Sequence, residues 1–256
     1  MKKLLSTLLG SAALLAVSPA FAQGVDEFGA YGGLENRGHE RSPQNVAFEA
    51  RFGPYRPGVD ADLPGHPYKD IFGDATRWEG GIEVDWQVFR IPHTLSLGPG
   101  LGWAFTQSSA KAPLTVPLPD GQTLSAENTT LAIMPMHLVA TLRLDWLADH
   151  TVVPLVPYAK LGMGYALWWS NIGESSTRVN GEVGKGASYG YVAALGLMLR
   201  LDPLDPLTAA TADASLGINH SGLFIEYFKS NLNGFGSDTT MEVGTSTWVA
   251  GLVLEI

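Results

Sequence analysis

The chain has 256 residues, of which 45% are hydrophobic and only 16% are charged, and it contains no cysteine. The charged fraction lies below the roughly 25% of an average soluble domain, and a net charge of −9 argues against binding to nucleic acid. The lack of cysteine excludes disulfides, thiolate metal sites and cysteine nucleophiles. No uncharged apolar run reaches the roughly 18 residues that a membrane-spanning helix requires.

The first residues have the three-part pattern of a secretory signal peptide. Lys2 and Lys3 are followed by an apolar stretch over 4–17 and by the cleavage pattern Ala20-Phe21-Ala22. The alternative is a buried N-terminal helix. Residues 23–44 are rich in glycine and polar side chains, which indicates a flexible periplasmic leader. We therefore predict a signal peptide over 1–22, a leader over 23–44 and a single domain over 45–256.

From residue 45 onward, large apolar residues alternate with glycine, small polar or charged residues. In the clearest run, Trp78, Ile82 and Trp86 fall on one face, while Glu79 and Glu83 fall on the other. A period of two places these sets on opposite sides of a β-strand. The eight runs are 46–52, 78–90, 95–106, 134–145, 159–167, 188–200, 222–228 and 247–256.

Run length and spacing distinguish a membrane barrel from a soluble sandwich. Soluble strands usually have about 5–6 residues, whereas a tilted strand that crosses a bilayer needs about 9–11. The gaps alternate between long and short, as in barrels with long outer loops and tight periplasmic turns. We predict an all-β fold, a single antiparallel up-and-down transmembrane β-barrel of eight strands. The predicted outer loops are 53–77, 107–128, 170–186 and 230–244, and the short turns are 91–94 and 146–151. The sequence of the remaining gap, 202–216, predicts one or two helical turns, to which we assign no function.

Tryptophan positions fit the same architecture, because amphipathic aromatic rings collect at membrane–water interfaces. Most of them lie near the predicted ends of strands. The predicted interface aromatics are Trp78, Trp86, Trp103, Trp146, Trp168 and Trp248. Core packing in a soluble sandwich is the alternative explanation for these residues.

The polar faces of the runs carry both acids and bases. An eight-stranded barrel is just wide enough for side chains to fill it, and buried charges are tolerated when they are paired. These charges therefore predict an internal network that closes the lumen, with a narrow ion path as the alternative. The predicted network is Glu79, Glu83, Asp85, Arg143, Lys160, Arg200 and Glu226, and Glu49, Arg51, Asp145 and Glu255 face the same way.

Two further clusters contain residue types that could form chemical sites. The first outer loop holds Asp60, Asp62, Asp70 and Asp74 around His66, but it lacks the spacing of a Ca²⁺ loop, and a solvated acidic loop is the better interpretation. His220, Ser221 and Glu226 suggest a lipid hydrolase. Adjacent strand residues point to opposite faces, however, so His220 and Ser221 should diverge. We predict no catalytic residue, no metal and no cofactor.

Several short motifs resemble a poorly characterised family of outer-membrane barrels of the myxobacterial type. The motifs are Phe52-Gly53-Pro54-Tyr55-Arg56-Pro57 with Asp60, Pro157-Tyr158, Gly217-Ile218-Asn219-His220 and Phe224-Ile225-Glu226-Tyr227. The resemblance covers most of the chain from Asn45 and implies the barrel fold and an outer-membrane location, but no catalytic residues. The chain ends in Ile256, whereas such barrels usually end in an aromatic residue.

These patterns predict a non-enzymatic barrel of the bacterial outer membrane, reached after signal-peptide cleavage. Its lumen is filled by side chains, and its outer loops serve envelope integrity, adhesion or ligand binding. The alternatives are a small channel or transport barrel, and an outer-membrane lipid-modifying enzyme. Expected partners are outer-membrane lipid, lipopolysaccharide and the barrel-assembly machinery, which would read the C-terminal strand. The ligand of the loops is not predicted.

Overall fold

The computed structural model describes residues 45–62, 65–74, 76–113, 123–173, 175–179 and 182–256. The predicted signal peptide and leader lie outside these residues. Eight long strands dominate the described chain. They are β1 (Val46–Tyr55), β2 (Arg77–Trp86), β3 (Leu95–Pro113), β4 (Leu124–Arg143), β5 (Leu155–Ile172), β6 (Lys185–Arg200), β7 (His220–Asn231) and β8 (Ser246–Glu255).

Each long strand pairs antiparallel with its neighbours in the sequence, and the sheet closes on itself. β1 pairs with β8 as well as β2, with Phe48 opposite Leu254 and Phe52 opposite Ala250. β6 pairs with both β5 and β7, which completes the ring. The predicted closed, eight-stranded antiparallel β-barrel is confirmed. Among the described helices, none is long and apolar enough to cross a membrane.

The alternation of the sequence sets which side chains point outward. Ile82, Leu138 and Leu195 are 56%, 58% and 69% exposed on the outer surface of the wall. Their polar neighbours point into the lumen, where Glu83 and Glu226 are fully buried. The wall thus has an apolar outside and a partly charged inside, the reverse of a soluble barrel.

One end of the barrel, here called the terminal end, carries both termini of the described chain. Asn45 N–H and Val46 N–H both donate to the carbonyl of Ile256. This end also carries the connections β2–β3, β4–β5 and β6–β7. The connections contain a short strand (Phe89–Ile91), α3 (Trp146–His150), a 3₁₀ turn (Asp202–Leu204) and α4 (Pro206–Leu216). The opposite end is called the loop end, and its first connection contains α1 (Val59–Asp62) and α2 (Pro67–Phe72).

Several predicted boundaries differ from the structure, and three differences are the clearest. The predicted loop 107–128 is largely strand, because β3 and β4 continue pairing as far as Pro113 and Leu124. The run 78–90 breaks after Trp86, and its end forms the separate strand Phe89–Ile91. The segment 202–216 contains an 11-residue helix rather than one or two turns, because Asp205 caps its start and Gly217 ends it in a left-handed conformation.

Apolar side chains close the loop end. Tyr55, Val59, Tyr68 and Phe72 pack with Leu131, Ile133, Leu232 and Val243 in one buried cluster. The Tyr68 hydroxyl lies 2.7 Å from the Ser108 hydroxyl, and the Tyr55 hydroxyl donates to the carbonyl of Val243. The first connection is therefore folded onto the mouth of the barrel.

Candidate functional site: the filled lumen

A single carboxylate, Glu49 on β1, connects the charges in the lumen. Its oxygens lie 2.7 Å from Lys160 Nζ, 2.9 Å from Arg143 Nη2 and 3.2 Å from Arg51 Nη1. Three bases from β5, β4 and β1 therefore share one acid. All four side chains are at least nine-tenths buried, so their charges are stable only because they are paired.

The remaining acids attach to the same three bases. Arg143 also binds Asp85 at 2.6 Å and Glu255 at 2.8 Å, and Lys160 binds Glu83 at 2.8 Å. Arg51 completes the set through short contacts with Glu83 and Glu226. Five acids and three bases thus form one connected cluster, here called the lumen network. Its members are Glu49, Arg51, Glu83, Asp85, Arg143, Lys160, Glu226 and Glu255.

Polar and aromatic groups contact the outer edges of the lumen network. His137 Nε2 lies 2.8 Å from Glu83, and the Tyr158 hydroxyl donates to Glu226 at 2.9 Å. The Arg51 guanidinium lies 5.3 Å from the centre of the Phe228 ring, a distance typical of a cation–π contact. Gly102 makes room for the His137 ring, since a Cβ there would lie 2.1 Å from Nε2.

Apolar side chains fill the rest of the lumen. Val139, Val192, Met198, Phe224 and Phe228 belong to one buried cluster between the strands. Near Glu79, Arg51 and Tyr55, a cavity of about 20 Å³ is left, which is room for about one water molecule. Among the residues that the structure describes, packed side chains occupy the lumen around this cavity.

Two residues predicted for this network lie outside it. Arg200 pairs with Asp145 at 2.6 Å and Asp149 at 2.5 Å near the terminal end, because it is the last residue of β6. Glu79 lines the small cavity, and no ion pair within 4 Å joins it to any residue that the structure describes. It lies closer to the loop end than Glu83, and the small cavity that it lines together with Arg51 separates it from direct pairing with that base.

Sequence reasoning left out several members of the site. Glu49, Arg51 and Glu255 belong to the lumen network, although the sequence predicts them only as inward charges outside the predicted network. The position of His137 in the alternating run 134–145 predicts an inward side chain, and this is the signal in the sequence that identifies it. The sequence does not identify Tyr158 and Phe228 as partners of the network. For Phe228 the reason is that Phe224 and Phe228 point inward and so break the simple apolar-outward pattern of β7.

The lumen network contains a set of acids with metal-like spacing. Ligand atoms of Glu49, Glu83 and Asp85 lie within 4.8 Å of one another. Arg51, Arg143 and Lys160 already contact these carboxylates. The three acids therefore neutralise internal bases rather than offering a vacant set of oxygen ligands.

The acids of the first loop-end connection stabilise the fold of that connection. Asp60 accepts hydrogen bonds from Tyr68 N–H at 2.8 Å and Lys69 N–H at 3.1 Å, at the start of α2. Asp74 pairs with Arg56 at 3.0 Å and Lys69 at 3.1 Å. Two of the four acids, Asp60 and Asp74, therefore have partners within the protein and do not need a cation.

The three residues considered for a hydrolase do not converge. His220 is buried and its Nδ1 lies 2.5 Å from Asp202, Ser221 lies on the other face of β7, and Glu226 belongs to the lumen network. Burial alone would raise the pKa of Asp202. The hydrogen bonds from His220 and from Ser221 N–H outweigh that effect and lower the pKa below its usual value.

Five of the six predicted interface tryptophans are exposed on the barrel surface or its terminal-end connection: Trp78, Trp86, Trp103, Trp146 and Trp248. Several pair with other rings, as Phe52 does with Trp78 at 4.8 Å and Tyr227 with Trp248 at 5.5 Å. Trp168 differs, because it packs against the cluster that closes the loop end. Adjacent strand residues face opposite ways, and Trp169 takes the outward position beside Phe105.

No protein-family model matches the chain, and no curated protein matches it either. The resemblance to the myxobacterial-type family therefore stays a prediction. Among solved structures, Ail, the attachment invasion locus protein of Yersinia pestis, aligns over 83% of this chain and 97% of its own, at 9% identity and a TM-score of 0.40. The outer membrane protein OprG of Pseudomonas aeruginosa aligns over 83% of this chain and 96% of its own, at 12% identity and a TM-score of 0.45. These likenesses do not assign a function to this chain.

Proposed function

We propose that this protein is a closed, non-enzymatic barrel of the bacterial outer membrane whose rigid wall displays the connections of the loop end to the outside of the cell. In this proposal the terminal end faces the periplasm. The apolar outer wall supports the membrane location, since such a surface is stable against lipid hydrocarbon. The loop-end connections would then contribute to envelope integrity, adhesion or ligand binding.

One observation carries the choice of a scaffold over a channel. The lumen network and the apolar cluster beside it fill the barrel, and the cavity at Glu79 is about 20 Å³. A conducting pore needs a continuous polar path with room for hydrated ions. The apolar cluster at the loop end adds a second barrier.

Conductance in planar bilayers tests this function. Purified protein should fold into lipid, as judged by different gel mobilities of unheated and boiled samples, and should produce no steady single-channel current. Stable, ion-selective current from the folded protein would contradict the closed scaffold and favour the channel alternative. A changed lipid profile in cells that express the protein would favour the lipid-modifying enzyme.

A further inference from the structure

The outer wall has an apolar depression near the junction of β8 and β1. Ala50 is the small outward residue there, between the larger Phe48 and Phe52, and it lies opposite Ile82 on β2 and Leu252 on β8. The resulting groove has a volume of about 530 Å³, within the roughly 300–1,000 Å³ of ordinary ligand sites. It is here called the wall groove.

The wall groove continues into a second pocket at the terminal end. This pocket, of about 200 Å³, lies between α4 and the start of β7, and Leu201, Ser221 and Leu254 line both. The two form a path from the mid-wall position of Ile82 to the terminal rim. An apolar stretch that ends in a polar pocket matches a phospholipid that stands with its headgroup at the rim.

The charges of the rim pocket favour one kind of headgroup. Its described lining residues include Asp202, Asp205 and Thr208 but no lysine or arginine. Asp205 caps α4 by accepting from the Thr208 N–H and hydroxyl, and its exposed carboxylate keeps oxygen lone pairs that face water. Asp202 is already paired with His220. The exposed Asp205 carboxylate is therefore the group that attracts a primary ammonium and disfavours a headgroup of net negative charge.

The surrounding surface is suited to a lipid boundary. Leu204, Leu207 and Leu216 are 74%, 79% and 69% exposed on the segment that borders the rim pocket. Exposing apolar side chains of this size is less unfavourable at a lipid interface than in water. The Ser221 side chain lies where the wall groove meets the rim pocket.

We infer that the wall groove and the rim pocket bind one phospholipid with a primary ammonium headgroup, such as phosphatidylethanolamine, from the periplasmic leaflet. This inference rests on the proposed function for the direction of the terminal end. The acyl chain lies along Phe48, Ala50 and Leu252, and the ammonium group faces Asp205.

Native mass spectrometry of the folded protein, titrated with phosphatidylethanolamine or phosphatidylglycerol, tests the site. The wild-type barrel should retain one phosphatidylethanolamine and bind it more tightly than phosphatidylglycerol. Ala50→Phe fills the groove with an apolar ring and should weaken binding by at least about tenfold, the low end for changed apolar contacts in a pocket. Ala140→Phe is the matched control, because Ala140 is exposed on β4, away from the groove.

Asp205→Asn tests the headgroup, since asparagine keeps the helix cap. It should reduce the preference for phosphatidylethanolamine by about two- to fivefold, the worth of one exposed ion pair. Equal binding by Ala50→Phe and Ala140→Phe would overturn the site, and equal binding of both lipids would overturn the headgroup assignment. A dimer that Ala50→Phe dissociates, with lipid binding unchanged, would make the groove a self-association surface and overturn the lipid site. If these tests fail while the protein still folds into lipid and stays closed, only this inference fails.

Discussion

At the scale of single residues, Arg143 provides the most direct test of the lumen network. Its guanidinium binds Glu49, Asp85 and Glu255, and its side chain is 3% exposed. Arg143→Ala leaves three buried acids short of a partner, and breaking a buried pair costs about 3–5 kcal/mol. We expect the free energy of unfolding by urea in lipid vesicles to fall by about this amount.

Arg56→Ala is the control for Arg143→Ala. Arg56 pairs with Asp74 on the surface, where both side chains are about half exposed. Such pairs contribute at most about 1 kcal/mol. Equal losses in the two variants would contradict the central role of the lumen network.

A second residue-scale prediction concerns acid stability. The folded-state pKa of Asp202 is lowered, so the carboxylate contributes stability above its unfolded pKa of about 3.9, and this stability is lost as the pH falls through the folded-state value. Asp202→Asn should therefore destabilise the protein at pH 7, and the difference from the wild type should shrink below about pH 4.

Urea unfolding across this pH range measures the difference between Asp202→Asn and the wild type. In a His220→Ala background, Asp202→Asn should cost less, because the Nδ1 contact is already lost. A difference that grows below pH 4 would have the wrong sign for this pair.

How well sequence predicts individual partners depends on geometry across the lumen. Alternation identifies that Glu83, Asp85 and Lys160 point inward, because that property is local. It cannot show that Arg200 lies too near the terminal end to reach Glu226. The position of a side chain along the barrel axis depends on the register of its strand with distant strands. Alternation likewise predicts that Glu79 points inward, but it does not show how far Glu79 lies from the central bases along the barrel axis.

At the scale of elements, the strands are predictable where one face is apolar throughout. The wall positions of Ile82, Leu138 and Leu195 follow directly from period-two alternation. The extension of β3 to Pro113 is less visible, because both faces of residues 107–113 are polar or small. The three-turn length of α4 follows from a cap and a terminating glycine rather than from amphipathic periodicity.

The outward face of β2 can be tested with Ile82→Arg. An arginine at the midplane of a barrel wall costs about 2–4 kcal/mol against lipid. We expect a loss of this order in the free energy of folding into vesicles. Val152→Arg is the control, because Val152 is 98% exposed in the connection between β4 and β5. If the two variants fold equally well, the face assigned to β2 is wrong.

At the scale of the whole molecule, the proposed orientation is open to cysteine labelling, because the chain has no cysteine of its own. Ala126→Cys and Asp238→Cys lie at the loop end, and Val152→Cys and Leu204→Cys lie at the terminal end. On intact cells an impermeant maleimide should label the first pair alone. Labelling of the second pair should require permeabilised cells, and equal labelling of both pairs would contradict the orientation.

The lumen network also has a consequence for how the barrel assembles. Lys160 on β5 and Arg143 on β4 bind acids on β1, β2, β7 and β8, none of which is a neighbouring strand. A hairpin or an open sheet therefore leaves these bases without their acids, and only the closed ring neutralises them. A two-residue slip would keep every apolar side chain outward but would shift each charge by about 6.8 Å along the strand. The buried charges thus act as a check on register that hydrophobic alternation alone cannot provide, and they stabilise the closed ring relative to an open sheet.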